Sequence, residues 1–465
     1  MTSWQPGSEI DGFRLGELMR AGTMAMIYRL IGPDGPLPLV MKIPRLGHGE
    51  RAANVISFEV ERTVLGALAQ SSHIPTLVAY GDVETSPYLV MEYVQGHTLS
   101  DWVARAPLAA DEIARACSAL ALALDELHRQ DVVHLDVKPS NVIYRASGEA
   151  VLIDFGLAHH AHFPDLLAEE LHVPVGNWPY MAPEQVLGVR CDPRSDIFAL
   201  GVILYRLATG RLPFGLPASM RELRQRLYRD AVPPRVLVPA TPQWLQEIIF
   251  HCLEVDARER YASAAEVAFD LANPAQVAIT ERGSRTRRSG LGTRLRRWAR
   301  AKRFEPAPCP PPKTPPEAAP VFVVALAMSQ ASEPLLEALR IATRRLAAAD
   351  SRSRIACVTV VPRSAGLSDL RDEDPATNRH IKRLVELRRW AKPLELPEEC
   401  LTYHVLESDK PAQALIDYAR MNDVDQVLLG SPRGGALSRW LTGICAQVIA
   451  EAPCSVTVVR PPADS

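Results

Sequence analysis

The chain of 465 residues carries 47% hydrophobic and 23% charged side chains, and its formal net charge is −2. This composition is typical of soluble globular proteins, and at roughly 150 residues per domain the length excludes a single small domain. No apolar run approaches the ~20 residues of a membrane-spanning helix, and the amino terminus lacks the basic start and apolar core of a secretory signal. We therefore expect a cytoplasmic protein. Four cysteines in apolar stretches are expected to be buried, reduced thiols: Cys117, Cys252, Cys357 and Cys445.

The chain opens with short predicted strands around a turn. FRLGELM, RAGTM, AMIYRL and LPLVMKI lie within residues 13–43, and their alternation and β-branched content favour strands. Lys42 ends the last of them, and the helical stretch that follows carries Glu61. A lysine at the end of a strand is by itself typical of a snorkelling surface residue. With Glu61 within reach as a fixed counter-charge, the pair instead favours the binding of phosphate oxygens.

The stretch VVHLDVKPSNVIY, residues 132–144, has the residue types of a phosphoryl-transfer site. Asp136 can orient or deprotonate a hydroxyl, Lys138 can balance a transferring phosphate, and Asn141 can offer an amide oxygen to a metal. The next strand, AVLIDFGLA, ends with Asp154 just before a glycine, and a carboxylate on such a turn can bind Mg²⁺ that bridges phosphates. Each element alone is a weak signal, but their order and spacing together are specific.

Basic and proline-rich residues separate two regions of the chain. Residues 281–303 carry ten Arg or Lys against one acidic residue, and the proline density of residues 304–320 favours an extended spacer. We expect one domain at residues 1–276, a linker at residues 277–319, and a second domain at residues 320–465.

Three interpretations of this basic band stay open. The first is a solvated linker that keeps the domains apart. The second is binding to an anionic membrane surface or to the acidic domains, because Leu291, Leu295 and Trp298 fall near helical spacing among the arginines. Nucleic acid binding is the least favoured, since aromatic content is low and no recognition fold is evident. Four hydroxyls in the band are candidate autophosphorylation sites: Ser284, Thr286, Ser289 and Thr293.

The carboxy-terminal region alternates short apolar runs with helical patterns. VFVVALAM, IACVTVVP, LTYHVLE, DQVLLGS and SVTVVRP are predicted strands, and PLLEALRIATRRLAAA and PAQALIDYARMN are predicted helices between them. This alternation predicts an α/β domain with a doubly wound parallel sheet.

The amino-terminal region resembles the eukaryotic-type serine/threonine protein kinase family found in bacteria, over about residues 12–272. The resemblance rests on VMK at Lys42, on Glu61, and on HLDVKPSN, DFG, YMAPEQ, SDIFALGVILYRLATGRLPF and DARERY. It implies a bilobal α+β kinase fold that uses ATP and Mg²⁺ to phosphorylate protein substrates. Asp136 would be the catalytic base, and Lys138 would support the γ-phosphoryl group.

The same resemblance implies further site residues. The ATP-binding set would be Gly22, Ile27, Lys42, Glu61, Glu92, Val94, Asn141 and Asp154. Asn141 and Asp154 would hold Mg²⁺, and residues 91–94 would form the hinge against adenine. A structural set would pair Glu184 with Arg260 and brace the catalytic loop through Asp196.

Several positions depart from the kinase pattern. Gly22 alone remains of three loop glycines, because Arg20 and Ala25 occupy the other two positions, and weaker ATP affinity is expected. Asn177 stands where such kinases carry a threonine that bonds the catalytic Asp and Lys. Its amide can still donate and accept hydrogen bonds, in an altered geometry.

Leu135 stands where most such kinases carry an arginine beside the catalytic Asp. A phosphorylated activation-loop residue neutralises that arginine and orders the loop, and leucine needs no such partner. Residues 157–179 contain no Ser, Thr or Tyr. Both the phosphorylatable loop residue and the arginine that would bind its phosphate are missing. Their joint absence predicts that activity does not depend on activation-loop phosphorylation. We interpret the histidines of this segment as a solvated loop, in preference to a metal or pH sensor: His159, His160, His162 and His172.

The carboxy-terminal region resembles the universal stress protein family over its whole length. Nucleotide-binding members of that family cradle phosphates with three glycines, and this chain keeps Gly430 and Gly443 at the outer spacing. Arg433 occupies the middle position beside Gly434, and Ile444 replaces the expected hydroxyl residue. These changes favour a dimerising or stress-sensing role over tight ATP binding. A second nucleotide site, if present, would use Gly430, Gly434 and Gly443.

Together these patterns predict a Mg²⁺- and ATP-dependent kinase acting on Ser or Thr, fused to a domain that regulates or dimerises it. All six central residues of a kinase site are present: Lys42, Glu61, Asp136, Lys138, Asn141 and Asp154. Two alternatives stay open, a pseudokinase scaffold that binds nucleotide without phosphoryl transfer and a stress-response adaptor whose kinase half only presents surfaces. They are motivated by Arg20, Ala25, Leu135 and Asn177.

Overall fold

The computed structural model describes most of the chain, and every structural statement below concerns that part. It covers residues 4–22, 24–31, 38–45, 52–81, 86–163, 165, 167, 176–287, 297, 301, 304–309, 320–328, 331–349, 353–362, 375–397, 400–422, 424–431 and 436–461. Within these ranges, none of the helices combines the length and the apolar character that crossing a bilayer requires.

The amino-terminal lobe is a six-stranded antiparallel sheet with one long helix. Its elements are β1 Glu9–Ile10, β2 Phe13–Ala21, β3 Ala25–Ile31, β4 Leu39–Pro44, α1 Ala52–Ala67, β5 Leu77–Tyr80 and β6 Leu89–Glu92. The strand order is β1-β2-β3-β4-β6-β5, so β4 lies inside the sheet with Lys42 paired to Leu89. Helix α1 directly follows β4 along the chain and buries Val55, Phe58 and Val64. The sheet and α1 therefore place Lys42 and Glu61 on neighbouring elements.

The second lobe is mainly helical, with short strands around the catalytic loop. Its helices are α2 Leu99–Ala104, α3 Ala110–Arg129, α4 Pro183–Val186, α5 Arg194–Thr209, α6 Met220–Leu223, α7 Pro234–Leu237, α8 Gln243–Cys252, α9 Ala264–Ala272 and α10 Glu281–Ser284. Its strands are β7 His97–Thr98, β8 Val132–Val133, β9 Val142–Tyr144, β10 Ala150–Leu152 and β11 His159–His160. The amphipathic α3 and the apolar α5 form the centre of this lobe, where most of their side chains are buried. The bilobal α+β architecture confirms the predicted fold class.

The carboxy-terminal domain is a five-stranded parallel sheet with helices on both faces. Its elements are β12 Val321–Ala325, α11 Glu333–Ala349, β13 Arg354–Val361, α12 Pro375–Ala391, β14 Leu401–Glu407, α13 Pro411–Met421, β15 Gln426–Gly430, α14 Ala436–Glu451 and β16 Ser455–Val459. The strand order β14-β13-β12-β15-β16 changes direction at β12, which confirms the predicted doubly wound sheet. The carboxyl ends of the central strands therefore meet at one edge of the sheet.

The start of the predicted linker packs against the helical lobe. Gln246 on α8 donates hydrogen bonds to the carbonyl oxygens of Arg282 and Gly283 at 2.8 and 3.0 Å, and Gly283 donates to Glu247 at 2.7 Å. Residues 281–285 thus lie on the second lobe, beyond the predicted boundary at residue 276, because α8 supplies buried polar partners for their backbone.

The cysteines follow the prediction in part. Cys117, Cys252, Cys357 and Cys445 are buried and free, as expected for reduced thiols in apolar surroundings. Cys191 and Cys309, whose Cα atoms lie 5.6 Å apart, are joined in a disulfide that the sequence analysis did not anticipate.

Candidate functional site

Lys42 is the centre of the candidate ATP site. Its Nζ donates hydrogen bonds to Glu61 Oε2 at 2.5 Å and to Asp154 Oδ1 at 2.7 Å. Glu61 is almost fully buried, and the side chain of Asp154 is 44% exposed. Strand β4, helix α1 and the turn after β10 therefore bring together three charges that are far apart in the sequence. Asp154 adopts a left-handed backbone conformation, with φ of 69°, that turns its carboxylate toward the cleft.

The charges of this cluster shift one another's protonation equilibria. Lys42, acting against burial, lowers the pKa of Asp154 to about 2. Burial lowers the pKa of Lys42, but the carboxylates of Asp154 and Glu61 outweigh it and the net pKa is raised. Burial raises the pKa of Glu61, and Lys42 opposes it only in part. At neutral pH a cation and an ionised Asp154 therefore face the cleft.

The catalytic loop converges on Asp136. The Lys138 ammonium donates a short hydrogen bond to Asp136 Oδ2, and Asn141 Nδ2 donates to the same oxygen at 3.0 Å and to the Asp136 carbonyl at 3.1 Å. The other carboxylate oxygen, Oδ1, is buried and has no hydrogen-bond partner among the described residues. Burial raises the pKa of Asp136, with Lys138 opposing the shift. A carboxylate held beside a cation is suited to orient a substrate hydroxyl.

Asp196 holds the backbone of the catalytic loop through its carboxylate. Its Oδ1 accepts a hydrogen bond from the Leu135 N–H at 2.9 Å, and its Oδ2 accepts from the His134 N–H at 2.8 Å. The His128 ring contacts the same Oδ2 at 2.9 Å. Asp196 is 1% exposed, so these bonds satisfy a buried charge that would otherwise be costly.

The side chain of Leu135 is buried next to the activation segment. It is 6% exposed, adopts φ of 62°, and its carbonyl oxygen accepts a hydrogen bond from Gln185 Nε2 at 3.1 Å. A second buried ion pair joins Glu184 to Arg260 at 2.7 Å, and Ser195 donates to the same carboxylate at 2.7 Å. These contacts tie the loop to helices α4 and α5.

An ion pair that the sequence analysis missed holds the described part of the activation segment. Arg190 Nε donates to Asp165 Oδ2 at 2.7 Å, and Arg190 Nη2 donates to the Leu157 carbonyl at 2.8 Å. His159 Nδ1 lies 3.6 Å from the same carboxylate. An aspartate and an arginine 25 residues apart carry no local signal, so only the fold reveals the pair.

The histidines of this segment do not form the solvated loop that we expected. His159 and His160 form β11, which pairs with Val133 and Val132 of β8, because the apolar segment beneath them offers an open strand edge. Burial lowers the pKa of His160 to about 3, so this ring is neutral near physiological pH. His172 lies outside the described residues, and the part of the chain that the structure describes holds no group of three potential metal-ligating side chains.

The remaining predicted ATP contacts lie along the cleft. Gly22 donates from its backbone N–H to the Ala25 carbonyl at 2.9 Å, and Ile27 pairs with Lys42 across β3 and β4. The Glu92 side chain is bound by Arg145 Nη1 at 2.6 Å, which leaves only its backbone for the proposed adenine contact. Val94 is buried at the predicted hinge. The roles of all four residues stay predictions.

The predicted second nucleotide site has an apolar interior. A cavity of about 330 Å³ at the carboxyl ends of β12, β13 and β15 is lined mainly by apolar side chains. A Cβ on Gly430 would lie 3.1 Å from Leu339 and 3.2 Å from Leu335, so α11 packs directly on this glycine. Gly443 lies inside α14 and not at its first turn, and Gly434 lies outside the described residues. Apolar side chains packed on this glycine and lining the cavity are unfavourable partners for a charged phosphate.

The kinase site fits ATP with Mg²⁺ better. Asn141 and Asp154 supply oxygen donors of the kind Mg²⁺ prefers, and Mg²⁺ completes its shell with water and phosphate oxygens. Lys42 supplies a fixed cation for phosphates between two carboxylates.

Comparisons with known proteins agree with this geometry. The family model described as Protein kinase domain matches residues 13–270, and the model described as Universal stress protein family matches residues 322–460. A probable serine/threonine-protein kinase PknB of Lactococcus lactis is 30% identical over 270 residues, which cover 56% of this chain and 42% of the relative.

Two further relatives cover a similar part of the chain. Serine/threonine-protein kinase Pkn1 of Myxococcus xanthus is 40% identical over 215 residues, 44% of this chain and 30% of its own length. Serine/threonine-protein kinase PknB of Mycobacterium tuberculosis is 29% identical over 277 residues, 57% of this chain and 43% of its own. The matches thus span less than half the length of these curated relatives.

Proposed function

The chain belongs to the protein kinase family, and from that premise we propose that it transfers the γ-phosphoryl group of ATP to serine or threonine hydroxyls of proteins. The observation that carries the proposal is the position of Lys42, within 2.7 Å of both Glu61 and Asp154. Kinase chemistry requires this lysine–glutamate pair and the metal-binding aspartate to be in place at the same time. The relatives named as serine/threonine-protein kinases support the substrate class.

Each residue of the kinase site would have a separate role in phosphoryl transfer. Mg²⁺ bound with ATP would neutralise charge on the phosphates, and Asn141 and Asp154 are the residues that would hold it. Lys42 binds phosphate oxygens and is kept in place by Glu61. Asp136 accepts the hydrogen bond of the acceptor hydroxyl and aims its oxygen at the γ-phosphorus. As the new O–P bond forms, the bond from the γ-phosphorus to the bridging oxygen of ATP breaks, ADP leaves, and Asp136 takes the hydroxyl proton.

Lys138 supplies the balancing charge for the transferred group. Its ammonium remains bonded to Asp136 and points toward a cavity of about 310 Å³ that is also lined by Asn177, Tyr180 and Arg206. We assign this cavity to the acceptor segment of the protein substrate, because it opens beside the loop that would orient the hydroxyl. Asn177 contributes an amide at its wall, which makes it a candidate for substrate preference.

We further propose that activity does not depend on activation-loop phosphorylation. Leu135 removes the cation that a phosphate would neutralise, and its side chain is buried without any charge to balance. The Asp165–Arg190 ion pair gives the described part of the activation segment a charged anchor that needs no phosphate. Both features support a loop that is ordered by its own sequence.

The competing proposal is a pseudokinase that binds nucleotide and transfers nothing. The degraded glycine loop, with Arg20 and Ala25 beside Gly22, is the observation that favours it. The two proposals differ in whether the bound ATP is used to phosphorylate a protein. The test is transfer of labelled phosphate from ATP and Mg²⁺ to a generic basic protein, with Asp136→Asn as the matched variant and nucleotide binding measured in parallel. Transfer by the unaltered protein alone supports the kinase, and binding without transfer in both supports the scaffold.

Partners and location follow from this function as proposals. Protein substrates are implied by kinase activity, and a homodimer through the carboxy-terminal domain is consistent with its family. We propose a cytoplasmic location, with attachment of the basic band to an anionic membrane surface as a secondary possibility and nucleic acid as the least favoured partner. Most of that band, with Ser289 and Thr293, lies outside the described residues.

A further inference from the structure

The carboxy-terminal domain lies directly against helix α1 of the kinase domain. Arg388 on α12 forms an ion pair of 2.7 Å with Glu59 Oε2 on α1. Arg62, one turn along α1, donates to the same oxygen at 3.2 Å. The Arg388 guanidinium also lies over the ring of Tyr403 at 5.2 Å, so the carboxy-terminal domain fixes its position. The side chains of Arg388 and Glu59 are only 13% and 10% exposed, which sets this pair apart from an ordinary surface salt bridge.

The same helix carries the catalytic glutamate on its other side. Successive residues of an α-helix are rotated by about 100°, so Glu59 and Glu61 project about 200° apart. Glu61 reaches Lys42 in the cleft, and Glu59 reaches Arg388 of the other domain. Helix α1 is therefore held from both sides, by the ATP-binding lysine and by the carboxy-terminal domain.

A second group of contacts reaches the activation segment. Arg354, the first residue of β13, lies over the ring of Phe163 at 4.7 Å. The backbone N–H of Asp165 donates to Asn422 Oδ1, next to the end of α13, at 3.2 Å. Asp165 is the residue that pairs with Arg190. One domain thus touches both elements whose positions control a kinase site, the glutamate-bearing helix and the activation segment.

We propose that the carboxy-terminal domain is a built-in activator that docks on α1 and the activation segment and replaces loop phosphorylation. The docking surface consists of Arg354, Arg388 and Asn422, and its acceptor surface consists of Glu59, Phe163 and Asp165. Docked, it holds α1 where Glu61 meets Lys42. Undocked, Glu59 loses its inter-domain partner and α1 is free to rotate the glutamate away. This inference rests on the proposed kinase activity and names how that activity is regulated.

A charge-exchange cycle in the full chain tests the docking. The variants are Glu59→Arg, Arg388→Glu and the two combined, with Lys382→Glu as a matched charge reversal on an exposed position of the same helix. The first readout is kcat/KM for phosphorylation of a generic basic protein. The second is hydrogen–deuterium exchange of residues 52–67, which reports α1 without any need for activity.

The expected results have a defined pattern. Each single exchange lowers kcat/KM about 5- to 150-fold, the usual span of allosteric coupling, and speeds amide exchange in α1. The combined variant recovers both readouts because it restores an opposite-charge pair, which also shows that the single variants were folded. Lys382→Glu leaves both unchanged.

Two results would overturn the inference. In the first, both single variants match Lys382→Glu in kcat/KM and in amide exchange of α1. In the second, the combined variant recovers neither readout beyond the level of the more impaired single variant. If the unaltered protein transfers no phosphate, the kinase proposal fails, while the exchange pattern of α1 still decides whether the domains dock as described.

Discussion

Arg190 donates a 2.7 Å hydrogen bond from Nε to Oδ2 of Asp165, and this pair anchors the described part of the activation segment to the helical lobe. The same guanidinium holds the Leu157 carbonyl, next to the glycine turn that carries Asp154. We therefore expect this ion pair to contribute to the ordering that a phosphate provides in switchable kinases. We also expect the segment to reach this arrangement without a modifying enzyme.

Removal of either partner of this pair is expected to lower activity. Asp165→Ala and Arg190→Ala each break hydrogen bonds that involve charged groups and that are largely shielded from solvent. We expect a loss of about 10- to 150-fold in kcat/KM, since such bonds contribute about 1.5–3 kcal/mol. Arg258→Ala is the control, because it breaks an exposed ion pair with Asp256 in the same lobe. Equal activity of all three variants would contradict the anchoring role.

Restoring the usual arginine at position 135 is expected to damage the protein. Leu135 is 6% exposed, and Leu135→Arg would put a cation among Gln185, Ala199 and Met181, where the two nearby carboxylates, Asp136 and Asp196, already accept hydrogen bonds from other groups. An uncompensated buried charge costs about 3–5 kcal/mol, so denaturant unfolding should begin at a lower concentration. Leu135→Met, which keeps size and polarity, should unfold like the unaltered protein. A stable and fully active Leu135→Arg variant would show that the position can accommodate charge.

Replacement by asparagine is expected to shift the unfolding midpoint in opposite directions at Asp136 and at Asp154. Burial raises the pKa of Asp136 despite Lys138, so the folded protein binds this proton more tightly than the unfolded chain. Asp136→Asn should therefore raise the unfolding midpoint near pH 7, and the gain should vanish as the pH falls to the ordinary carboxyl value of about 3.9.

The pKa of Asp154 is shifted in the opposite direction to that of Asp136. Lys42 lowers its pKa to about 2, so its ionised form stabilises the fold above pH of about 3.9 and that contribution disappears as the pH falls toward 2. Asp154→Asn should lower the unfolding midpoint near pH 7, with no difference from the unaltered protein at the acid end. Shifts of equal sign for both variants across this range would contradict the assigned electrostatics.

Nucleotide binding is expected at the kinase site alone. In the other domain Leu335 and Leu339 pack on Gly430, and the adjoining cavity is lined mainly by apolar side chains. Calorimetric titration with MgATP should therefore give one site per chain, and Lys42→Met should abolish it. Gly430→Ala serves as the matched variant in the carboxy-terminal domain and should leave the titration unchanged. A second, Lys42-independent site would restore the nucleotide proposal for Gly430 and Gly443.

Sequence reasoning picked out residues that lie together in the structure where those residues fall in short motifs. Asp136, Lys138 and Asn141 lie within six residues, and the local loop geometry brings them together. Lys42, Glu61 and Asp154 were predictable only because each sits in a motif with a fixed place in the fold. The parallel sheet was predictable because its alternating apolar runs have no other way to be buried.

The missed features are pairs between distant positions. Asp165 with Arg190, and Glu59 with Arg388, are ordinary charged residues whose partners are set by tertiary packing and not by spacing. The histidines were misjudged for a related reason, because β8 offers a strand edge that no property of the loop itself reveals. The position of one domain on another is likewise absent from local sequence patterns.

The most direct test of the central claim is the time course of phosphate transfer by the full chain after complete phosphatase treatment. Labelled ATP, Mg²⁺ and a basic protein acceptor are supplied, and Asp136→Asn is run beside the unaltered protein. We predict transfer that starts without a lag in the unaltered protein and none in the variant, because Leu135 and the Asp165–Arg190 pair remove the need for prior phosphorylation. Absence of transfer, or a lag that pre-incubation with ATP abolishes, would contradict the account.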